Sequence, residues 1–263
     1  MATGRYVHRF DIDDRHSVHI YLGNLAEVQA DALVSSDDNY LSAGGGVSAA
    51  LAWVAGADVA HERIKLARES RPRLGDIVCT AAGGLQCRLL YHAITIEDFK
   101  HYLNEASLRL LVANLMKCAV QDGVRTLGMP ALGTGAAGFD IVRASEVIIE
   151  ELLARLLETP VRHLVLALVG DEAQRLFYER LVRTNSPRCA ASSLRRIEKR
   201  MTSPPTPAEQ GDLSPRACAG ATVGPPWPVG HRGRVRDRRP VGWATNRHAS
   251  SGDDLAAGET GGA

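Results

Sequence analysis

The sequence predicts a three-layer α/β/α domain with a mixed, mostly parallel central sheet. Through residue 185, short apolar runs alternate with longer segments of helical periodicity, which is the pattern of strands buried between layers of helices. Two glycine-rich segments each lie between a predicted strand and a predicted helix. The remaining 78 residues (263 minus 185) differ in composition, and we treat them as a separate region.

Strands and helices are predicted from period and from flanking turn residues. The predicted strands are residues 18–22, 32–34, 77–80, 89–94, 126–129 and 163–169. The predicted helices are residues 47–54, 59–69, 106–121, 141–157 and 171–182. In the third helix, apolar residues such as Leu108, Leu111 and Leu115 recur at three- and four-residue spacing, and Gly123 follows where a C-terminal cap is expected.

Composition indicates a globular protein rather than a membrane protein. Of the 263 residues, 45% are hydrophobic, yet no apolar run approaches the roughly 18 residues that a membrane span needs. The five cysteines are scattered and form no CxxC pair, so we expect reduced thiols, no metal site and no cofactor. A cytoplasmic location is the resulting expectation.

The predicted domain comprises residues 1–185, and residues 186–263 are predicted to form a disordered tail. The tail holds 9 of the 12 prolines, no Phe or Tyr and one Ile, so it lacks the apolar side chains that would offset the entropy of ordering. It carries 12 Lys+Arg against 7 Asp+Glu, a net charge of +5, which leaves 19 against 23, or −4, for residues 1–185. A solvated linker and a basic segment that contacts RNA both remain open for this tail.

The first glycine-rich segment favours an anion-binding site. Gly44, Gly45 and Gly46 precede a predicted helix that begins with Val47 and Ser48. Unpaired N–H groups and the positive end of the helix dipole meet at such a helix start. Three glycines before a helix also occur in ordinary turns, so this segment alone does not decide the matter.

The second glycine-rich segment follows Pro130 and again connects a strand to a helix, which is predicted to start at residue 140 or 141. It consists of Ala131, Leu132, Gly133, Thr134, Gly135, Ala136, Ala137, Gly138 and Phe139. Glycines permit the close backbone approach that a phosphate cradle needs, and two such loops on one sheet would suit a diphosphate. Neither loop is a P-loop or a GxGxxG motif within a βαβ unit.

Four sequence segments together resemble the macro domain family. They are Gly23-Asn24, Asp31-Ala-Leu-Val34, Gly44-Gly-Gly-Val47 and Pro130-Ala-Leu-Gly-Thr-Gly-Ala-Ala-Gly-Phe139, in the family's order and spacing over most of residues 16–182. The resemblance implies that the domain binds ADP-ribose. Asn24 would receive the adenine amino group beside the backbone of Leu25, although the family usually has Asp there. Residues 44–48 and 132–138 would flank the pyrophosphate and distal ribose, with Phe139 near that ribose.

The sequence departs from the family where hydrolytic members place their catalytic groups. Many of those members have an Asn-Ala-Ala-Asn segment and an Asp after the glycines, whereas this chain has Ser35-Ser-Asp-Asp38 and Ser48. A serine needs an activating partner to act as a base, and no histidine lies nearby in sequence. Asp37 or Asp38 could orient a water at the distal ribose, or both could be polar loop residues. His92 is predicted to be a hydrogen-bonded core histidine, and Gly170 stands where the family often has an adenine-stacking aromatic.

Three functional hypotheses follow from the residues and the resemblance. The first is a binding module for ADP-ribose, either free or attached to a protein or nucleic acid. The second is an ADP-ribosyl hydrolase, or an O-acetyl-ADP-ribose deacetylase, in which Asp37 or Asp38 positions water. The third is RNA or poly-purine binding with help from the basic tail. The sequence leaves open whether the domain is an enzyme.

Overall fold

The computed structural model describes residues 4–184, and the predicted tail lies outside them. Eight strands form one sheet in the order β1-β2-β8-β7-β3-β5-β4, with the short β6 paired to β5. The strands are β1 Arg5–Asp11, β2 Ser17–Leu22, β3 Ala32–Asp38, β4 Ile77–Ala81, β5 Leu89–Glu97, β6 His101–Tyr102, β7 Thr126–Met129 and β8 His163–Leu168. The five central strands run parallel to one another, in the order β2-β8-β7-β3-β5. The three other strands pair antiparallel: β1 with β2, and β4 and β6 with β5.

Five α-helices connect and cover these strands. They are α1 Gly46–Ala55, α2 Ala57–Ser70, α3 Glu105–Gln121, α4 Ile141–Leu156 and α5 Asp171–Thr184. A short 3-10 helix, Leu25–Glu27, follows β2. Among residues 4–184, no helix is both long enough and apolar enough to cross a membrane.

Alternate side chains of the central strands enter two different cores, which confirms the predicted three layers. On β8, Leu164, Leu166 and Leu168 pack with the buried faces of α3, α4 and α5, whereas Val165 and Ala167 pack with α1 and the 3-10 helix. Because successive side chains of a strand point to opposite faces, one buried strand serves both layers. Complete burial of each leucine contributes about 1.5–3 kcal/mol.

Four strands differ from the prediction by more than one residue. Strand β5 runs three residues beyond its predicted end at residue 94, and the short β6 was not predicted. Strand β1 was not predicted, because most of its side chains are polar and at least partly exposed at the sheet edge. Strand β3 extends four residues beyond the predicted end, through Ser35 to Asp38, and these polar residues pair with β5, with a register shift between Asp37 and Asp38. The alternative of Asp37 and Asp38 as loop residues is therefore wrong, since both are buried at the end of a strand.

The parallel strands bring four connecting segments to one edge of the sheet. The carboxyl ends of β2, β8, β7 and β3 lead into Asn24, Gly170, the loop of residues 130–140 and the loop of residues 39–45. We call this edge the carboxyl edge. The outer two of these strands are three spacings of about 4.8 Å apart, or roughly 14 Å, which allows an elongated ligand to lie across the strand ends.

Candidate functional site

The first glycine loop leads directly into an uncapped helix. Helix α1 begins at Gly46, its N-cap is Gly45, and no side chain caps this end. A Cβ atom built on Gly45 or Gly46 meets nothing within 4 Å, so packing does not demand glycine there. Gly46 has a φ of 56°, which L-residues with a Cβ rarely adopt. The helix start thus presents backbone N–H groups to open space, as an anion site requires.

The second glycine loop is held by its own backbone. Phe139 N–H donates to the Gly133 carbonyl at 2.9 Å, and Gly138 N–H donates to the Gly135 carbonyl at 2.9 Å. The Thr134 hydroxyl donates to the Ala131 carbonyl at 2.8 Å. These bonds fix a compact loop in which Gly135 is open to the surface.

The helix after the second loop is not an open anion site. Asp140 caps α4, because its carboxylate accepts the Arg143 N–H at 2.8 Å. The capping carboxylate occupies the position at which an anion would meet the helix dipole. An anion at this loop must therefore be held by loop amides rather than by the helix start. Neither loop contains Lys or Arg, so the backbone supplies the donors on both sides.

Several predicted contact residues have buried side chains. Leu25 and Leu132 belong to the cores, and Phe139 is partly buried against the larger core. Such residues can offer a ligand their backbone, or one edge of a ring in the case of Phe139. Ala136 and Ala137 lie in the turn that the Gly138–Gly135 hydrogen bond closes; Ala136 is exposed and Ala137 is half-buried.

Asn24 lies exposed at the end of β2, where it caps the 3-10 helix. Its side-chain oxygen accepts the Ala26 N–H at 3.0 Å. A carboxamide oxygen has two lone pairs, so one acceptor position and both amide donors remain for a ligand. Asn24 therefore differs from an Asp by its two donors and by its lack of charge.

Asp37 lies at the centre of a buried network behind the first glycine loop. One carboxylate oxygen accepts from the Ser48 hydroxyl, and the other lies 2.7 Å from Nδ1 of His92. The guanidinium of Arg63 lies 3.8 Å from the same carboxylate and donates to the Leu41 carbonyl. Asp37 and Arg63 are 3% and 4% exposed, so solvent screens these charges poorly.

The partners of Asp37 outweigh the effect of its burial. Burial by itself would raise the pKa of this carboxyl, but the hydrogen bonds from His92 and Ser48 and the charge of His92 lower the pKa below its usual value. Asp37 is therefore an ionised structural carboxylate. His92 is a buried histidine with both ring nitrogens satisfied, as predicted, because Nε2 lies 3.0 Å from the Thr80 hydroxyl.

The network does not form a nucleophilic triad. Such a triad needs the serine next to the histidine, which accepts its proton, and the aspartate on the far side of the ring. Here Ser48 bonds to Asp37, and His92 bonds to Asp37 and Thr80. The arrangement fixes the start of α1 to β3 and β5, and it leaves Ser48 without a contact to the His92 ring.

Asp38 shapes the segment that leads to the glycines. Its carboxylate accepts the Tyr40 N–H at 2.8 Å and the Ser42 N–H at 3.3 Å, and it also accepts from the Ser42 hydroxyl. Asp38 is 8% exposed. Of the two predicted catalytic carboxylates, Asp38 lies nearer the glycines in sequence, but its oxygens already serve the loop.

Sequence reasoning missed Arg63. It lies within the helical periodicity of α2, where an arginine is ordinarily solvent-exposed. Its position beside Asp37 and Leu41 depends on the packing of α2 against β4 and on the chain path after β3. In residues 4–184, no group of three His, Cys, Asp or Glu side chains is placed to hold a metal ion.

Comparison with known proteins places this geometry in a family. The family profile described as Macro domain matches residues 34–148. An uncharacterized protein of Pyrobaculum aerophilum is 31% identical over 165 residues, covering 60% of this chain and 86% of the relative. A relative from an Enterobacter species, named O-acetyl-ADP-ribose deacetylase, is 27% identical over 168 residues, covering 63% of this chain and 93% of the relative.

Solved structures share the fold. The Oceanobacillus iheyensis macrodomain with ADP has a TM-score of 0.60 at 20% identity, covering 68% of this chain and 96% of the other. The Trypanosoma brucei macrodomain in complex with ADP-ribose has a TM-score of 0.56 at 22% identity, covering 64% of this chain and 70% of the other. The order of strands, the two glycine loops at one edge, the family profile and these relatives together show that the chain belongs to the macro domain family.

Proposed function

We propose that the domain, residues 1–185, binds ADP-ribose, free or attached to a protein or nucleic acid, across the carboxyl edge of the sheet. The observation that carries this proposal is the pair of glycine loops that leave the adjacent parallel strands β3 and β7, each with a glycine that faces open space. Backbone N–H groups within residues 44–48 and 132–138 hold the pyrophosphate from two sides, except those of Thr134 and Gly138, which bond within the loop. The relative named O-acetyl-ADP-ribose deacetylase and the Trypanosoma brucei macrodomain in complex with ADP-ribose support the same ligand.

The remaining predicted contacts rest on the resemblance to the macro domain family. Asn24, at the end of β2, receives the adenine, and the distal ribose lies beside Gly44–Gly46 and Phe139. An uncharged Asn24 with two donors can bond to ring nitrogens as well as to the exocyclic amine. We therefore expect Asn24→Asp to increase the preference for adenine over hypoxanthine in the base.

The first experiment is calorimetric titration of the full chain with ADP-ribose and with AMP. We expect saturable binding that clearly prefers ADP-ribose, because only the diphosphate reaches both loops. In Gly45→Glu the added carboxylate meets the pyrophosphate, and the repulsion, several kcal/mol, weakens binding about a hundredfold or more. The φ of Gly45 is 162°, an extended conformation open to any residue, so this variant retains the fold.

Two control variants distinguish the effect of the charge in Gly45→Glu from the effect of its added volume and from the effect of the changed net charge of the protein. Gly45→Gln adds similar volume without charge and is expected to bind with an intermediate affinity. Gln121→Glu adds the same charge at the exposed end of α3, and it should bind as the unmodified chain does. Unchanged affinity in Gly45→Glu would reject the proposed site, and no preference for ADP-ribose over AMP would reject the diphosphate ligand.

Hydrolysis is the second candidate function, and it is favoured by the similarity to the Enterobacter relative named O-acetyl-ADP-ribose deacetylase. In this proposal Asp38, which follows Asp37 at the end of β3, orients a water by exchanging one of its bonds to the 39–42 loop. We expect Asp38→Asn to abolish turnover of O-acetyl-ADP-ribose while retaining ADP-ribose binding. Turnover that survives this substitution and Asp37→Asn would remove both carboxylates from the reaction.

A further inference from the structure

A concave site lies outside the carboxyl-edge contacts proposed for ADP-ribose. It is a cleft of about 670 Å³ between the end of α2 and the turn that joins β5 to β6. This volume is within the roughly 300–1,000 Å³ typical of ligand sites. We define the arginine cleft by six of its lining residues: Tyr40, Ile64, Arg68, Arg71, Arg73 and Asp98.

The three arginines of the cleft have positive charges that the described residues do not neutralise. Arg68, Arg71 and Arg73 are exposed, and none of their guanidinium groups forms an ion pair or hydrogen bond with another residue of 4–184. Arg109, by comparison, contacts Glu105, Glu150 and Glu151. Three unpaired guanidinium groups that line one cleft can bind a single anionic partner together.

The acidic residues beside the arginines are already engaged by protein donors. Asp98 accepts the Tyr40 hydroxyl at 2.8 Å and the Asn39 amide at 3.1 Å, and the bond from Tyr40 lowers the pKa of the Asp98 carboxyl. Glu97 accepts the Leu74 N–H at 3.2 Å. These carboxylates shape the cleft wall, and they leave the guanidinium groups to bind anions from outside.

An aromatic pair lies at the rim of the same cleft. The rings of Tyr40 and Phe99 stack with centroids 5.4 Å apart and an interplanar angle of 21°, and both residues are more than half exposed. Exposed aromatic faces beside a row of arginines are the combination that single-stranded nucleic acids use, with bases stacked on rings and phosphates paired to guanidinium groups. An acidic peptide would use the arginines but would leave the ring faces without a partner.

Three of the five non-glycine residues with positive φ in residues 4–184 belong to the cleft or its rim. Among residues 4–184, the non-glycine residues with positive φ are Leu41, Ala43, Arg71, Asp98 and Phe99. Arg71 and Asp98 line the cleft, Phe99 stacks at its rim, and the other two lie in the loop after Asn39 and Tyr40. Strained backbone of this kind concentrates at functional sites, where the surrounding structure maintains it.

We propose that the arginine cleft binds a segment of single-stranded nucleic acid, with phosphates on Arg68, Arg71 and Arg73 and a base against the Tyr40–Phe99 pair. This site is additional to the ADP-ribose site and does not require it. It also differs from nucleic-acid binding by the basic tail, because the binding groups belong to the folded domain.

The test is fluorescence anisotropy with the full chain and a labelled single strand of about 12 nucleotides, within the site sizes of such binders. The triple variant Arg68→Gln/Arg71→Gln/Arg73→Gln should bind at least about tenfold more weakly. Its salt dependence should also be shallower, by about 2 in the slope of log K against log salt, since each lost phosphate contact removes about 0.7. Tyr40→Leu should weaken binding about tenfold through lost stacking.

A matched control carries the same charge change at the opposite edge of the sheet. Arg15→Gln/Lys117→Gln/Arg125→Gln removes three exposed positive charges and leaves the cleft and the tail unchanged. We expect it to bind the oligonucleotide as the unmodified chain does. Equal losses of oligonucleotide affinity in the two triple variants, or no loss in the cleft variant, would overturn the proposal. Displacement of the oligonucleotide by poly-glutamate at equal charge concentration would overturn it as well. Titration with ADP-ribose distinguishes the two sites, because the cleft variant should retain that binding.

Discussion

The two glycine loops leave neighbouring strands, yet they are stabilised in different ways. The first, Gly44–Gly46, has an open helix start and is held from behind by the buried network of Asp37, Ser48, His92 and Arg63. The second, residues 131–139, holds itself through its own backbone bonds and precedes a helix that Asp140 caps. A phosphate site can thus be preorganised by buried charge or by local backbone bonding, and substitutions should affect the two loops very differently.

The largest expected effect comes from removing the carboxylate behind the first loop. Asp37→Ala leaves Ser48 and His92 without their acceptor and Arg63 without its nearby negative charge. Breaking a buried pair in this way typically costs about 3–5 kcal/mol. Urea unfolding of the full chain measures the loss. The free energy of unfolding of Asp37→Asn, which keeps the shape of the side chain, should lie between that of the unmodified chain and that of Asp37→Ala. A loss below about 1 kcal/mol would mean that the network does not hold the loop.

The same carboxylate predicts a specific response to acid. Because the pKa of Asp37 is lower in the folded protein than its usual 3.8, its stabilisation is complete above that value and is lost as pH falls through the folded pKa. The stability advantage over Asp37→Asn should therefore be constant near neutrality and shrink in acid. Other carboxyls with lowered pKa values, such as Asp98 and Glu105, are common to both proteins and cancel. An advantage that grows as pH falls would contradict the ionised state.

Smaller effects are expected where only the backbone is strained. Gly46→Ala places a Cβ at a φ of 56° and should cost about 1–2 kcal/mol. Gly45→Ala, at an extended φ and with open space around its Cβ, should change the free energy of unfolding little. Thermal unfolding of the two variants measures the difference. Equal losses of stability in Gly46→Ala and Gly45→Ala would show that backbone conformation is not the reason for glycine at position 46.

The smallest effect should come from the cap beside the second loop. Asp140→Ala removes the acceptor for the Arg143 N–H and should cost about 1 kcal/mol of stability. It also removes a negative charge near the proposed pyrophosphate, so ADP-ribose affinity should stay the same or improve. A clear loss of affinity without unfolding would show that Asp140 contacts the ligand, and the assignment of the loop amides would need revision.

Helix positions were predicted more accurately than strand ends. Strong periodicity located α3 to within one residue, because seven of its residues are buried along one face. The end of β3 was missed because polar residues usually indicate a loop. Asp37 is buried in the strand because His92 and Thr95, more than 50 residues away, satisfy its hydrogen bonds, whereas Asp38 is satisfied by Tyr40 and Ser42 of the adjoining loop.

The candidate binding residues were named from the sequence, and their contacts with a ligand stay predictions. Sequence could name Gly44–Gly46 and residues 132–139 because glycine marks positions where the backbone itself performs the function. It could not distinguish the open helix start of α1 from the capped start of α4, since that depends on which way the Asp140 side chain turns. Nor could it connect His92 or Arg63 to Asp37, because 55 and 26 residues separate them in the chain.

The sequence by itself determined the layered fold, the family and the two glycine loops, since apolar period and glycine placement are local properties of the chain. Tertiary structure alone decided that Asp37 is a structural anion, that Ser48 bonds to Asp37 rather than to His92, and that three arginines share one cleft. Charges and hydrogen bonds act over a few ångströms through space, so their roles depend on which distant segments the packed sheet and helices bring together.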